Sequence, residues 1–315
     1  PVADLACGTA WKASDGNCYN GFAFNITFDL SSLNVTLPDD IIIGTGLGCL
    51  KNLEKFLDEI YDTNEQITSV LPFINSTHNA VAAQIAMLLK NKSYNVTYCH
   101  RSFSFESALA DTLLHIDEKK DVDILVGGID ELTEDFIKLH GYRGFWKEPI
   151  NTLELFSSSG KGTVAGEGAS FFLVSGNRGS GPAISIDGVH TFLTPDGSGP
   201  EMIYSETCKF LGSAGLSIKD IDLVITGMNG DPDFDGIYHS LARDYYDRSS
   251  GISCFKHLCG EYYTSSGFAL WAAKTILETQ TIPPVMIFKE TDRKPLYKIL
   301  IYNHFRNKEH SLIIV

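Results

Sequence analysis

The chain has no apolar run near the roughly 18 residues that a bilayer crossing requires, which predicts no membrane insertion. Residues Pro1 to Trp11 lack the basic start and apolar stretch of a signal peptide, so a cytoplasmic protein is expected. Positive charge is scarce: 25 Lys and Arg stand against 39 Asp and Glu, a formal charge of −14. That sign disfavours nucleic acid and anionic membrane surfaces as partners. The seven cysteines, at positions 7, 18, 49, 99, 208, 254 and 259, form no C-x-x-C and no Cys/His pattern of zinc spacing. Reduced thiols, no metal and no cofactor are therefore expected. Five glycosylation sequons (Asn25, Asn34, Asn75, Asn91 and Asn95) point the other way, and without a leader they read as an Asn-rich cytoplasmic chain. Low-complexity segments and charge blocks are missing too.

Hydrophobic residues make up 43% of the 315 positions, enough for a large buried core. Short β-branched runs predict strands at Ile41–Ile43, Tyr94–Tyr98, Asp123–Val126 and Ser170–Val174. Others follow at Ile184–Val189, Leu223–Thr226, Val285–Lys289, Lys298–Tyr302 and Ser311–Val315. Helical periodicity falls between them at Leu50–Tyr61, Ala80–Lys90, Ser104–Ile116, Glu201–Ser213 and Ser265–Leu277. This alternation predicts an α/β fold with mostly parallel sheets. Both halves show a similar order, each closing on two strands with no helix between them. The Gly176–Pro182 stretch is the natural joint, giving halves 1–178 and 179–315. The first forty residues carry no clear period.

Three local motifs do not hold as ligand loops. Gly44-Thr45-Gly46-Leu47-Gly48 sits between a strand and a helix, yet its spacing is not that of a dinucleotide loop. Gly160-Lys161-Gly162-Thr163 lacks the upstream glycine of a phosphate loop. Asp231-Pro232-Asp233-Phe234-Asp235-Gly236 opens like a calcium loop, but its twelfth position is Ala242, so a solvated acidic turn is expected.

Four stretches resemble the β-ketoacyl synthases, in order and at suitable separations. Ile43 to Gly48 is similar to the early G-T-G-x-G turn. Asp123 to Leu132 is similar to the strand and double-glycine turn after the nucleophile helix. Gly166-Glu167-Gly168-Ala169 matches G-E-G-A, and Lys256 to Gly267 reads against K-S-N-I-G-H-x-x-x-A-x-G. The resemblance covers most of the chain from about residue 40. It implies a thiolase-like, duplicated five-layer αβαβα fold with two mixed, mostly parallel sheets, and a dimer.

The resemblance also implies a cysteine at a helix N-terminus, with two histidines donating hydrogen bonds to a nascent enolate. Here the cysteine's slot falls near His100, with Cys99 or Ser102 as alternatives. Cys99, the one thiol in range, is read as a buried cysteine at a strand end. The run Thr97 to Ala108 lacks the small residues of the family's elbow, and the tip of the helix from Ser104 carries either an open tunnel or a plug made by His100, Phe103 and Phe105. The first histidine's turn reads Thr226-Gly227-Met228-Asn229, without an imidazole. The second histidine falls on Glu261, which the nearby Lys256 would hold as an ion pair. Phe305 takes the place of the residue that closes the acyl pocket, with His304, Arg306 and Asn307 replacing its glycines, which suggests a stiffer loop.

Three functions follow in order of preference. The first is a non-condensing subunit, similar to chain-length factors in fatty acid or polyketide synthesis. It would act as a homodimer or as a heterodimer with an active ketoacyl synthase, with acyl carrier protein a further partner. The second is an active acyltransferase with a rearranged site built on Cys99 or a serine, His100 and Glu261. The third is a ligand-binding module on the same fold.

Overall fold

The computed structural model describes residues 2–3, 37–66, 69–148, 150–177, 183–195 and 197–315. In chain order the first half runs β1 (Val2–Ala3), β2 (Asp40–Gly44), α1 (Leu50–Asp62), α2 (Val70–Ser76), α3 (Ala80–Leu89) and β3 (Asn95–Tyr98). It continues with α4 (Ser104–Lys119), β4 (Asp123–Asp130), α5 (Glu134–Gly141) and β5 (Gly168–Ser175). The second half runs β6 (Gly188–Leu193), α6 (Pro200–Ser213), β7 (Leu223–Thr226), α7 (Pro232–Asp244), β8 (Gly251–Cys254) and α8 (Lys256–Cys259). It ends with α9 (Ser266–Thr279), β9 (Ile287–Lys289), β10 (Ile299–Phe305) and β11 (Glu309–Ile314).

The strand orders are β1-β5-β4-β2-β3 and β6-β11-β10-β7-β8-β9. Each sheet has a parallel centre, β4–β2–β3 in one and β10–β7–β8 in the other. Each then adds two antiparallel strands on one side, β5 and β1 or β11 and β6. Strand for strand the sheets correspond, with β9 as the one addition. The duplication is thus in the topology.

Alternation along the strands builds five layers. On β2, Ile41 and Ile43 face outward against Ala82 and Ile85 of α3, while Ile42 faces inward. The inner layer holds α4 and α9, whose Phe105, Leu109, Phe268 and Ala272 join inward residues of both sheets in one core. Beyond the second sheet, Val224, Leu300 and Leu312 pack on Ile203 and Leu211 of α6 and Leu241 of α7. That is the expected αβαβα stack.

Four details differ from the sequence reading. A helix, α5, separates β4 from β5, so only the second half closes on adjacent strands. The strand expected at Ile184–Val189 begins at Gly188, where pairing with β11 starts. β8, a short Gly- and Ser-containing strand, carries no periodic signal. The strand expected at Val285–Lys289 opens as a 3₁₀ turn over Pro284–Met286, because two prolines precede it. The boundary at 178/179 and the sequons Asn25 and Asn34 lie outside the described residues.

Candidate functional site

The four motif stretches converge because specific backbone groups lock them together. Asp130, at the end of β4, is buried and accepts from Thr45 Oγ1 (3.2 Å), Gly46 N (2.8 Å), Leu47 N (2.9 Å) and Thr264 N (2.9 Å). One carboxylate thus ties the G-T-G turn to the double-glycine strand and to the segment leading into α9. Burial pushes its pKa up to about 6 despite these donors. The G-E-G-A stretch meets the Lys256–Gly267 stretch in turn: Glu261 N donates to Val164 O (2.8 Å) and Gly166 N to Glu261 O (3.1 Å). A Cβ on Gly166 would stand 2.1 Å from Cys259 O, so that crossing admits only glycine.

At this crossing Lys256 Nζ donates to both Glu261 oxygens, at 2.7 and 2.8 Å, and Lys256 is 1% exposed. Asn229 Nδ2 adds a third donor to Glu261 Oε2 at 2.8 Å. The carboxylate therefore takes hydrogen bonds where an imidazole would give them. In the turn where the resemblance leads one to expect the other histidine, a Cβ on Gly227 would stand 2.0 Å from Asn303 Oδ1 and 2.8 Å from the Tyr238 hydroxyl. No side chain can occupy it. Met228, next in sequence, is buried in the core beside α7.

Beside the pair lies a cleft enclosing about 690 Å³, its open mouth included. It brings together Glu261, Asn229 and Phe305 of the expected site residues, with aromatic walls from Phe145, Phe234 and Tyr263. His304 also borders it, with its imidazole buried and held neutral by desolvation. The ring of Tyr263 stands 5.3 Å from that of Phe305. Phe305 ends β10, and the turn that follows keeps Arg306 at φ 57° and Asn307 at φ 53°. The left-handed backbone natural to glycine is thus imposed on two larger residues.

The elbow is arranged differently from the expectation. β3 ends at Tyr98, so Cys99 and His100 project from the sheet edge and both are exposed. Cys99 is not the buried cysteine expected of a strand end, because β3 is the edge strand and pairs only with β2 among the described residues. Partial desolvation of its sulfur and the Asp130 charge raise its thiol pKa, the reverse of an activated nucleophile. Phe103 and Phe105 are core residues rather than pocket walls: Phe105 packs 6.1 Å from Phe172, ring to ring. His100 meets Phe103 edge-on at 5.5 Å. Ser102 also points into the protein from the elbow, buried and hydrogen-bonded to Glu309 of β11. Its partner is 207 residues away and carries no sequence signal.

The acidic turn is also corrected. Asp231 caps α7 by accepting from Asp233 N (3.1 Å), and Asp235 accepts from Asn229 N and Gly230 N. Asp231 and Asp235 are buried, not solvated, because they supply acceptors for the turn that carries Asn229. Among the described residues no group of His, Cys, Asp or Glu could hold a metal, and no helix is long and apolar enough to cross a membrane.

No family model and no curated protein matches the chain by sequence. Solved structures do match its shape. The ishigamide ketosynthase/chain length factor superposes with a TM-score of 0.69 at 16% identity, over 89% of this chain and 74% of that one. A type II PKS acyl-carrier protein in complex with its ketosynthase bound to the hexaketide gives 0.73 at 15%, over 91% and 81%. A beta-ketoacyl synthase from Burkholderia phymatum STM815 gives 0.72 at 16%, over 91% and 79%. The fold is that of the β-ketoacyl synthases. On this ketosynthase fold the crossing of the motif stretches is kept, while the groups that line it are a carboxylate, an ammonium and a carboxamide.

Proposed function

We propose that the chain is a non-condensing ketosynthase-like subunit in fatty acid or polyketide-type biosynthesis. The observation that carries this reading is Glu261, held by Lys256 and Asn229 where condensation would need a hydrogen-bond donor. An enolate placed there would meet a carboxylate and be repelled, so the step that needs stabilisation would be opposed. Among the structures of like shape, one is named as a ketosynthase/chain length factor and another as a ketosynthase with its acyl-carrier protein. Both kinds of partner suit this chain. Among the described residues β3 offers an unpaired edge for a second subunit, either a copy or an active ketosynthase. The halves 1–178 and 179–315 are the repeated units, and the cytoplasm is the compartment.

The test is a malonyl condensation assay with the purified chain, alone and mixed with an active ketosynthase. Alone it forms no product; in the mixture it changes product length or binds as a heterodimer. Condensation by the chain alone would refute the reading. A second reading rests on Ser102 and Glu309, whose contact would let a carboxylate take the serine proton during acyl transfer. Acyl mass on the Ser102 peptide after incubation with an acyl thioester, absent in Ser102→Ala, would favour it.

A further inference from the structure

We infer that the cleft binds a planar organic carboxylate as a free small molecule, with its charged end on Arg306 and its apolar body between the aromatic walls. This goes beyond the subunit reading and does not depend on it.

Three observations fix the class and the orientation. The first is the position of Arg306, the one Arg or Lys among the described residues that line the cleft. Its guanidinium lies 3.9 Å over the Phe145 ring, with the Phe305 and Phe234 rings at 5.9 and 6.0 Å. It is exposed, and it makes no ion pair with a carboxylate among the described residues. Stacking on Phe145 orients the planar fork while leaving its edge free, the arrangement that receives a carboxylate in two parallel hydrogen bonds.

The second observation is the opposite charge at the buried end. Glu261 lies there, 9% exposed, and both its oxygens already accept donors. An anion finds no free donor at the floor, where Lys256 and Asn229 are spent on Glu261, and is drawn to Arg306 at the mouth. The cleft therefore accepts an anionic ligand in one direction only.

The third is that the Thr163, Asn229 and Asp231 groups along the walls are already engaged. The Thr163 hydroxyl donates to Asn229 O (2.6 Å) and the Asn229 amide to Glu261. Asp231 accepts from Gly162 N (2.8 Å) and Asp233 N (3.1 Å). An amide-rich chain would find few partners, whereas a flat apolar body meets the faces of Phe145, Phe234, Tyr263 and Phe305.

The experiment is a calorimetric titration of the full chain with 2-naphthoate and with the isosteric neutral 2-naphthamide. The acid is expected to bind about fivefold to tenfold more tightly at low salt, the value of one partly exposed charge-assisted pair. Arg306→Met is expected to abolish that preference and Arg306→Lys to keep part of it, with melting curves showing that both variants fold. Phe145→Leu, which removes the ring beneath the guanidinium, is expected to weaken the acid more than the amide. Equal binding of acid and amide, no saturable binding of either, or full acid affinity in Arg306→Met would overturn the inference. A chain that condenses malonyl units yet keeps the naphthoate preference would lose the subunit reading and retain this one.

Discussion

The sharpest quantitative expectation concerns Glu106, a residue that no motif singles out. It sits on α4 between the two sheets, fully buried, and burial raises its carboxyl pKa from the ordinary 4.5 to about 7. The Ser266 and Ser311 hydroxyls beside it and the Lys256 charge offset only part of that rise. In the folded chain the proton is held up to about pH 7, while in the unfolded chain it leaves near 4.5. Between those values the folded state binds more protons, so stability falls as pH rises. The loss accumulates to about 3 kcal/mol by pH 8, because each pH unit separating the two titrations is worth about 1.4 kcal/mol. Glu106→Gln keeps the shape and removes the titration. It is therefore expected to match the native protein at pH 4 and to exceed it at pH 8 by about 2–3 kcal/mol, roughly 5 °C in melting temperature. Asp130 and Asp235 are both raised to about 6 and titrate in either protein, so they cancel in the comparison and the two curves diverge between pH 4.5 and about 7. Melting temperatures measured by calorimetry across pH 4 to 8 decide the matter. Parallel curves for the two proteins would refute the reasoning.

The other predictions are simpler. Lys256→Met leaves Glu261 buried without its ammonium partner and is expected to cost about 3–5 kcal/mol in urea unfolding, while adding Glu261→Met restores much of the loss. Gly227→Ala drives a methyl group into Asn303 Oδ1 and is expected to lower stability by about 1–3 kcal/mol in thermal melts. Lys90, exposed and left-handed at the C-terminus of α3 (φ 53°), is expected to gain about 0.5–1 kcal/mol on replacement by glycine, read by the same melts. Thr97→Pro removes a backbone donor from the open side of β3, since the bonds of Tyr94 and Tyr98 to β2 turn Thr97 the other way, and is expected to abolish subunit association in light scattering while the chain stays folded.

The sheets are legible in the sequence because their strands are β-branched runs buried on both faces, as in Ile41–Ile43 and Leu223–Thr226. The Lys256–Glu261 pair is legible because its partners are five residues apart within one recognisable stretch. Contacts that close the site over long separations are not. Asp130 reaches Thr264 across 134 residues, and Ser102 reaches Glu309 across 207. Nothing local distinguishes those acids from surface ones. The exposure of Cys99 is hidden for a related reason: a thiol after an apolar strand is usually buried, and only the strand order reveals that β3 is an edge.

Why the lysine persists beside a glutamate is itself informative. Two apolar residues of similar volume would serve stability at least as well as a buried ion pair. Stability alone therefore does not account for Lys256 and Glu261. Their charges do select one arrangement of neighbours: Glu261 holds the Asn229 amide, and Asn229 in turn sits on the Asp231–Asp235 turn that starts α7. Breaking either charge would release a chain of contacts running from the G-E-G-A crossing to the cleft wall at Phe234. The pair thus fixes the shape of the cleft while denying it the donors that condensation would require. On that argument a Lys256→Met, Glu261→Met double variant should stay folded yet lose whatever the cleft binds.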